Sequence, residues 1–194
     1  MEAGVAAREI RSVCVYCGSR VGSRPEYAAL ARAMGAELAR RGLTLVFGGG
    51  RVGLMGVMAD AALGGGGRVV GVIPEFMVAA ERAHNGCSEL IVVRTMHERK
   101  QTMSDRCDAI VTMPGGVGAL DELFEAITWN VLRVHDRPLG VLDVDGYYSP
   151  LRTLIGHGVE HGFIAPEVGG MLRWAESPGA LLDALGADGR SDPA

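Results

Sequence analysis

Short apolar runs alternate along the chain with stretches of helical spacing. Residues 12–17 (SVCVYC), 43–47 (LTLVF), 69–73 (VVGVI), 89–93 (ELIVV), 108–113 (DAIVTM) and 138–142 (PLGVL) end at Gly, Pro or polar residues and predict buried strands. Between them Tyr27, Leu30, Ala31, Met34 and Leu38 recur with a helical period, as do Leu120, Leu123, Phe124, Ile127 and Val131, and each set predicts a core-facing stripe. Further helices are expected around 147–161 and 178–185. The alternation predicts an α/β fold, a doubly wound parallel sheet with helices on both faces, because parallel strands need crossovers that pack back on the sheet. Residues 12–186 read as a single domain without repeats, between a flexible N-terminus at 1–11 and a flexible polar tail at 187–194. Ligands of such sheets bind beyond the carboxyl ends of the strands.

Composition narrows the function. The 194 residues are 48% hydrophobic and 22% charged, enough for a core that needs no metal or disulfide. A net charge of −4 without a basic tract excludes the electrostatic footprint of nucleic-acid or membrane-surface binding and points to a small ligand or a protein partner. No apolar run approaches the roughly 18 residues of a bilayer span. The opening MEAGVAAREIRSVCVYCGS lacks a signal peptide's basic start and apolar stretch, so a cytoplasmic location is expected. Cys14 and Cys17 form a C-x-x-C along an apolar strand with no second pair, which favours a core role over zinc or redox work. His157 and His161 stand four residues apart with no third ligand in a recognisable pattern, which favours an exposed helix face. Neither metal nor cofactor is expected.

Glycine departs most from average usage, with 29 residues concentrated in turns. Gly18-Ser19, Gly48-Gly-Gly-Arg-Val-Gly53 and Pro114-Gly-Gly-Val-Gly118 each follow a predicted strand, so all three belong on one edge of the sheet. Gly48-x-Gly50-x-x-Gly53 matches a dinucleotide fingerprint in form, although tight strand-to-helix packing explains it as well. Two such turns offer two sets of free amides, which suits a mononucleotide-sized anion. Asp121 and Glu122 fall in the first turn of the next helix, where acids often only complement the dipole; Glu122 lies off the apolar stripe and is expected to face the crevice. Met96-His-Glu-Arg-Lys100 should open a helix at the same end and supply a countercharge, and Lys100 is the only lysine beside 18 arginines.

These segments, Gly48-Gly-Gly-x-x-Gly-Leu-Met-Gly56, Met96-His-Glu-Arg-Lys100 and Pro114-Gly-Gly-x-Gly-x-x-x-Glu122, together resemble the LOG ("Lonely Guy") family of cytokinin riboside 5′-monophosphate phosphoribohydrolases. The likeness runs from Cys14 to about Phe163 and includes Thr128-Trp129 and Gly146-Tyr-Tyr148. It implies a Rossmann-like homodimer that hydrolyses the N-glycosidic bond of N6-modified AMP, and of AMP itself, to free base and ribose 5-phosphate. By resemblance the catalytic pair is Arg99 and Glu122. Other substrate contacts map onto Glu81, Lys100, the turn Gly115, Gly116, Val117, Gly118, Ala119, Leu120 and Asp121, and Thr128, with Gly49, Gly50, Gly53 and Ser19 nearby. Ala119 stands where the family usually has Thr, which removes a hydroxyl from the phosphate site.

In such a hydrolysis Glu122 would stabilise an oxocarbenium-like sugar and orient water, while Lys100 and the glycine amides hold phosphate; Arg99 can serve either end of the substrate. Two other classes remain open. One is a non-catalytic carrier of a nucleotide or phosphorylated cofactor on the same fold, which the missing hydroxyl at 119 favours. The other is an NAD-dependent oxidoreductase, which rests on Gly48-x-Gly50-x-x-Gly53 and Glu75. Lysine decarboxylation would need a Schiff-base lysine, and Lys100 is already placed at the phosphate.

Overall fold

A computed structural model describes residues 9–80 and 82–187. Seven strands and eight helices follow one another as β1 (Ser12–Tyr16), α1 (Pro25–Arg40), β2 (Thr44–Phe47), α2 (Gly53–Gly64), β3 (Val69–Pro74), α3 (Glu75–Ala79), β4 (Glu89–Val93), α4 (Met96–Asp105), β5 (Ala109–Thr112), α5 (Val117–Val131), β6 (Leu139–Leu142), α6 (Ser149–Glu160), α7 (Pro166–Met171), β7 (Leu172–Ala175) and α8 (Pro178–Leu185). They build one sheet in the order β4-β3-β2-β1-β5-β6-β7, and every neighbouring pair is parallel. The expected doubly wound α/β fold is what forms.

The period of two along the strands divides the core. Val13, Val15 and Cys17 of the β1 segment pack toward α1, α2 and α8, whereas Cys14 and Tyr16 pack toward α4, α5 and α6. Cys14 and Cys17 are three positions apart and so face opposite sides of the sheet, where both are buried free thiols. That alternation, not a metal or redox pairing, accounts for the C-x-x-C. Among the described residues no group of three or more His, Cys, Asp or Glu side chains is placed to hold a metal. His157 and His161 stack edge-on on an exposed face, as their spacing suggests.

Two details differ from the sequence reading. On α5 the buried face is Ala119, Glu122, Leu123, Ala126 and Ile127, while Phe124 is exposed and Leu120 only half-buried. The small alanines let that face approach the sheet, so the helix is turned and Glu122 enters the interior instead of standing off the stripe. The second is at the chain ends: Ile10 is in the core, the Arg11 amide donates to Asp108, and the Ala187 carbonyl accepts from the buried Arg41 guanidinium. The rest of the expected flexible ends, 1–8 and 188–194, lies outside the described residues. No described helix is long and apolar enough to cross a membrane.

Close helix contact on one face sets the position of α2. A β-carbon at Gly35 of α1 would stand 2.2 Å from the Met58 carbonyl oxygen and 2.9 Å from the Ala62 nitrogen. Gly35→Ala is therefore expected to destabilise the fold by about 1–3 kcal/mol, seen as a fall in the thermal midpoint. Gly156→Ala on the exposed, open side of α6 should instead raise it slightly, by up to about 1 kcal/mol.

Candidate active site

The strand order reverses direction between β1 and β5, and the crevice at such a switch point opens beyond the strands' carboxyl ends. There the β1 exit loop meets the β5–α5 turn: the Gly18 amide donates to the Pro114 carbonyl at 3.1 Å. A β-carbon on Gly115 would lie 2.6 Å from that of Ala119 and 3.0 Å from the Gly18 nitrogen, so only glycine permits this approach. Two hydroxyls brace the same turn, Tyr147 donating to the Gly115 carbonyl at 2.7 Å and Tyr148 to the Met113 carbonyl at 2.8 Å.

The three glycine turns do different things. In the β2–α2 turn part of the polar backbone is already engaged: the Gly49 carbonyl accepts from the His84 amide, Gly50 bridges to Ala83, the Arg51 amide donates to the Arg82 carbonyl and the Leu54 amide to the Gly18 carbonyl. Gly49 and Gly53 have φ of +69° and +68°, and a β-carbon on Gly53 would fall 2.2 Å from the Ser19 backbone. Gly49, Gly50 and Gly53 thus serve tight packing, and Glu75 is an exposed residue opening α3. The β5–α5 turn is more open. Its N-cap is Gly116, with no side-chain cap, and β-carbons on Gly116 or Gly118 would meet nothing within 4 Å. The first amides of α5 are left to face an open cavity.

Opposite that turn, α4 presents Arg99. The helix is capped reciprocally, the Thr95 hydroxyl accepting from the Glu98 amide while the Glu98 carboxylate accepts from the Arg94 amide at 2.7 Å. Glu98 of the Met96–Lys100 stretch is thereby a structural cap. Arg99 follows it into the interior, where Nε donates to the Val72 carbonyl at 3.1 Å, Nη2 to the Gly48 carbonyl at 3.0 Å and Nη1 to Glu122 Oε1 at 3.3 Å. A β-carbon at residue 48 would lie 1.7 Å from Nη2, so glycine there makes room for the guanidinium.

Glu122 and Arg99 are 8% and 7% exposed, low enough that each needs the other as a charge partner. Burial pushes the Glu122 carboxyl up to about 7; Arg99 pulls against that rise, Asp121 and Glu125 add to it and Lys100 opposes it. The pair forms the floor of a cavity of about 250 Å³ lined by Tyr16, Cys17, Ser19, Gly48, Gly116–Ala119, Asp121 and the methionines 55, 77, 96 and 103. A second cavity of about 430 Å³ continues past Ser19 and Gly116 toward Tyr27 and Tyr147.

Of the residues expected at the site, the structure brings together Arg99, Glu122, Ser19, Gly115 to Ala119 and Asp121. Lys100 turns away, its ammonium 2.9 Å from Glu125 and 3.2 Å from Asp121. Leu120 packs on the core, and Thr128, whose hydroxyl donates to the Phe124 carbonyl, stands on the exposed side of α5. Glu81 lies outside the described residues. The sequence reading missed Gly48 as the seat of Arg99, and also Tyr16, Cys17, Met96 and Met103. Tyr16 and Cys17 had a usable signal, since they end the first strand directly before a glycine turn. Burial raises the Tyr16 phenol well above its usual range, so it lines the cavity as a neutral hydroxyl.

Comparison with known proteins is consistent across the chain. A family model described as "Possible lysine decarboxylase" matches residues 55–185. The chain is 44% identical over 176 residues to the probable cytokinin riboside 5′-monophosphate phosphoribohydrolase LOG4 of Oryza sativa subsp. japonica, covering 91% of this chain and 76% of that one. It is 49% identical over 157 residues to the cytokinin riboside 5′-monophosphate phosphoribohydrolase of Rhodococcoides fascians, covering 80% and 79%. With the Arabidopsis thaliana enzyme LOG1 the identity is 41% over 177 residues, covering 91% and 83%. Among solved structures, a molybdenum cofactor binding protein of Rippkaea orientalis shares the fold at a TM-score of 0.70 and 18% identity, covering 94% of this chain and 98% of that one. The Moco carrier protein of Chlamydomonas reinhardtii does so at 0.68 and 17%, covering 92% and 96%. Identity above two-fifths over most of both sequences, together with the family model's span, decides the matter: this chain belongs to the LOG family of cytokinin riboside 5′-monophosphate phosphoribohydrolases.

Proposed function

We propose that the protein hydrolyses the N-glycosidic bond of cytokinin riboside 5′-monophosphates, and of AMP, giving the free base and ribose 5-phosphate. The observation that carries this reading is the buried Glu122 carboxyl, braced by Arg99 and set in the cavity beside the uncapped start of α5. The α5 amides receive the 5′-phosphate and Ser19 stands beside them, which fixes the distance from phosphate to C1′. Water adds to C1′ as the C1′–N9 bond breaks. The electron pair of that bond leaves with the purine, and the proton lost by the water ends on the base. Glu122 as carboxylate stabilises the positive charge on the sugar, takes up the water proton and passes it on to the released base, which returns it to the carboxylate form. Arg99 holds Glu122 by a charge-assisted bond while Nε and Nη2 donate to backbone carbonyls, so its role is to aim the carboxylate.

Met55, Met77 and Met96 form a soft wall on the same cavity. Thioether side chains adapt to apolar groups of varied shape, which suits an N6-prenyl tail next to a flat purine. A homodimer is also proposed: Phe124, Val131, Leu132 and Val134 leave an apolar strip exposed along and just beyond α5. The carrier reading draws on Ala119, which offers no hydroxyl to phosphate.

Chromatography of incubations with AMP and isopentenyladenosine monophosphate should show base release from both. Glu122→Gln should lower turnover by about 10²–10⁴-fold while calorimetry still records nucleotide binding; unchanged turnover removes Glu122 from the chemistry, and binding without release by the wild type selects the carrier. Because the carboxylate is the reactive form and burial raises its protonation to about pH 7, kcat at saturating nucleotide should climb as pH rises through that region. A profile flat from pH 5.5 to 8.5 would contradict the role. Light scattering should give about twice the chain mass of 20.4 kDa; a single-chain mass rules the dimer out.

A further inference from the structure

A groove of about 380 Å³ runs between α6, α7 and the edge strand β7, and it shares no lining residue with the cavity of Arg99 and Glu122. Leu172 and Trp174 of β7 stand two positions apart, so both side chains rise from one face of the sheet, where Ile155 and Val159 of α6 complete an apolar floor. Glycines keep the groove open from both helices: a β-carbon at Gly156 of α6 or at Gly169 of α7 would meet nothing within 4 Å. The space is of the size that takes a small organic molecule.

Arg152 gives the groove a charge. Its guanidinium carbon lies 4.4 Å from the centre of the Trp174 ring, so the cation is held against an aromatic face. A guanidinium placed over a ring keeps its N–H fork free for a planar anion. That fork is unused: among the described residues the Arg152 side chain has no carboxylate partner and donates no hydrogen bond, whereas Arg41, Arg68, Arg94, Arg99, Arg106 and Arg137 each donate to an acid or a carbonyl. Glu160 lines the groove eight residues further along α6, about 12 Å away along the helix axis, and it too is unpaired among the described residues.

We propose that this groove binds a small aromatic monocarboxylate, whose carboxylate pairs with Arg152, whose ring lies on Ile155, Val159 and Leu172, and whose distal hydroxyl donates to Glu160. The charge layout selects that class. A second negative charge at the distal end would be repelled by Glu160, an amine would be repelled by Arg152, and a neutral apolar molecule would leave both charges without partners. An aromatic body suits the floor, since Trp174 offers its edge to a ring while its face is taken by the guanidinium. The site is independent of the hydrolase reading.

4-Hydroxyphenylacetate carries the three parts and is the probe. Methyl-resolved NMR of the full chain should show Ile155, Val159 and Leu172 moving on one saturable curve with a Kd below about 10 mM, unchanged by saturating AMP. Its amide should bind roughly tenfold or more weakly, as should the acid to Arg152→Gln, with Arg152→Lys falling between. Glu160→Ala should bring 4-hydroxyphenylacetate down to the affinity of phenylacetate. Gly156→Leu, which fills the groove from an open position, should abolish binding without lowering the thermal midpoint. Equal affinity for acid and amide, or Arg152→Gln binding like the wild type, overturns the proposal. Shifts confined to the methyls of Met55, Met77 and Met96 and reversed by AMP would put the acid in the catalytic cavity and overturn it too, as would the absence of any shift at about 10 mM.

Discussion

A carboxylate and a guanidinium that have both left water hold this site together. Neither Glu122 nor Arg99 is tolerable alone at its depth, where removal of one partner from such a pair costs roughly 3–5 kcal/mol. Much of the surrounding architecture makes the pair possible. Alanines on α5 bring the helix close enough to deliver Glu122. A reciprocal cap starts α4 at the register that turns Arg99 inward, and the carbonyls of Gly48 and Val72 take two further guanidinium donors. The incomplete compensation is as informative as the pairing. Burial still outweighs Arg99 in setting the Glu122 protonation, which leaves the carboxyl near 7, where small changes in its surroundings alter its charge at neutral pH.

Glycine separates the two halves of the ligand region by function. The β2–α2 turn uses glycines to bring backbone against backbone, with some of its polar groups bonded in the process. The β5–α5 turn uses Gly115 for contact with the β1 exit but leaves Gly116 and Gly118 facing open space. Similar composition at two strand ends therefore gives one structural clasp and one candidate anion site. The tyrosines at 147 and 148 stiffen the second turn from behind, so that its amides are held in place before any ligand arrives.

The sheet was legible because six of its strands are apolar runs closed by turn residues. The seventh, β7, is an edge strand whose LRWA is buried at one residue and otherwise partly or fully exposed, so it offers no apolar run to read. The helices α3 and α7 span five and six residues, too short for a periodic signal. The site was readable as motifs and misread in orientation. Phe124 outweighs Ala119 and Ala126 in any count of hydrophobicity, which pulls the inferred stripe of α5 toward solvent and leaves Glu122 outside it. Charged residues inside a packed face run against the pattern that the rest of the fold obeys, and such conflicts gather where function overrides packing. Lys100 shows the same limit: its solitude in the composition marks it out, but its ion pairs with Asp121 and Glu125 are visible only in the structure.

Gly48 carries one more consequence. The Arg99 guanidinium occupies the volume that a side chain at 48 would need, although the two residues are 51 positions apart in the chain. The β2 exit and the start of α4 are therefore a single heritable unit. A chimera that exchanges either segment with a more distant homologue has to exchange both, and a library that diversifies position 48 alone samples sequences in which Arg99 has no place to stand.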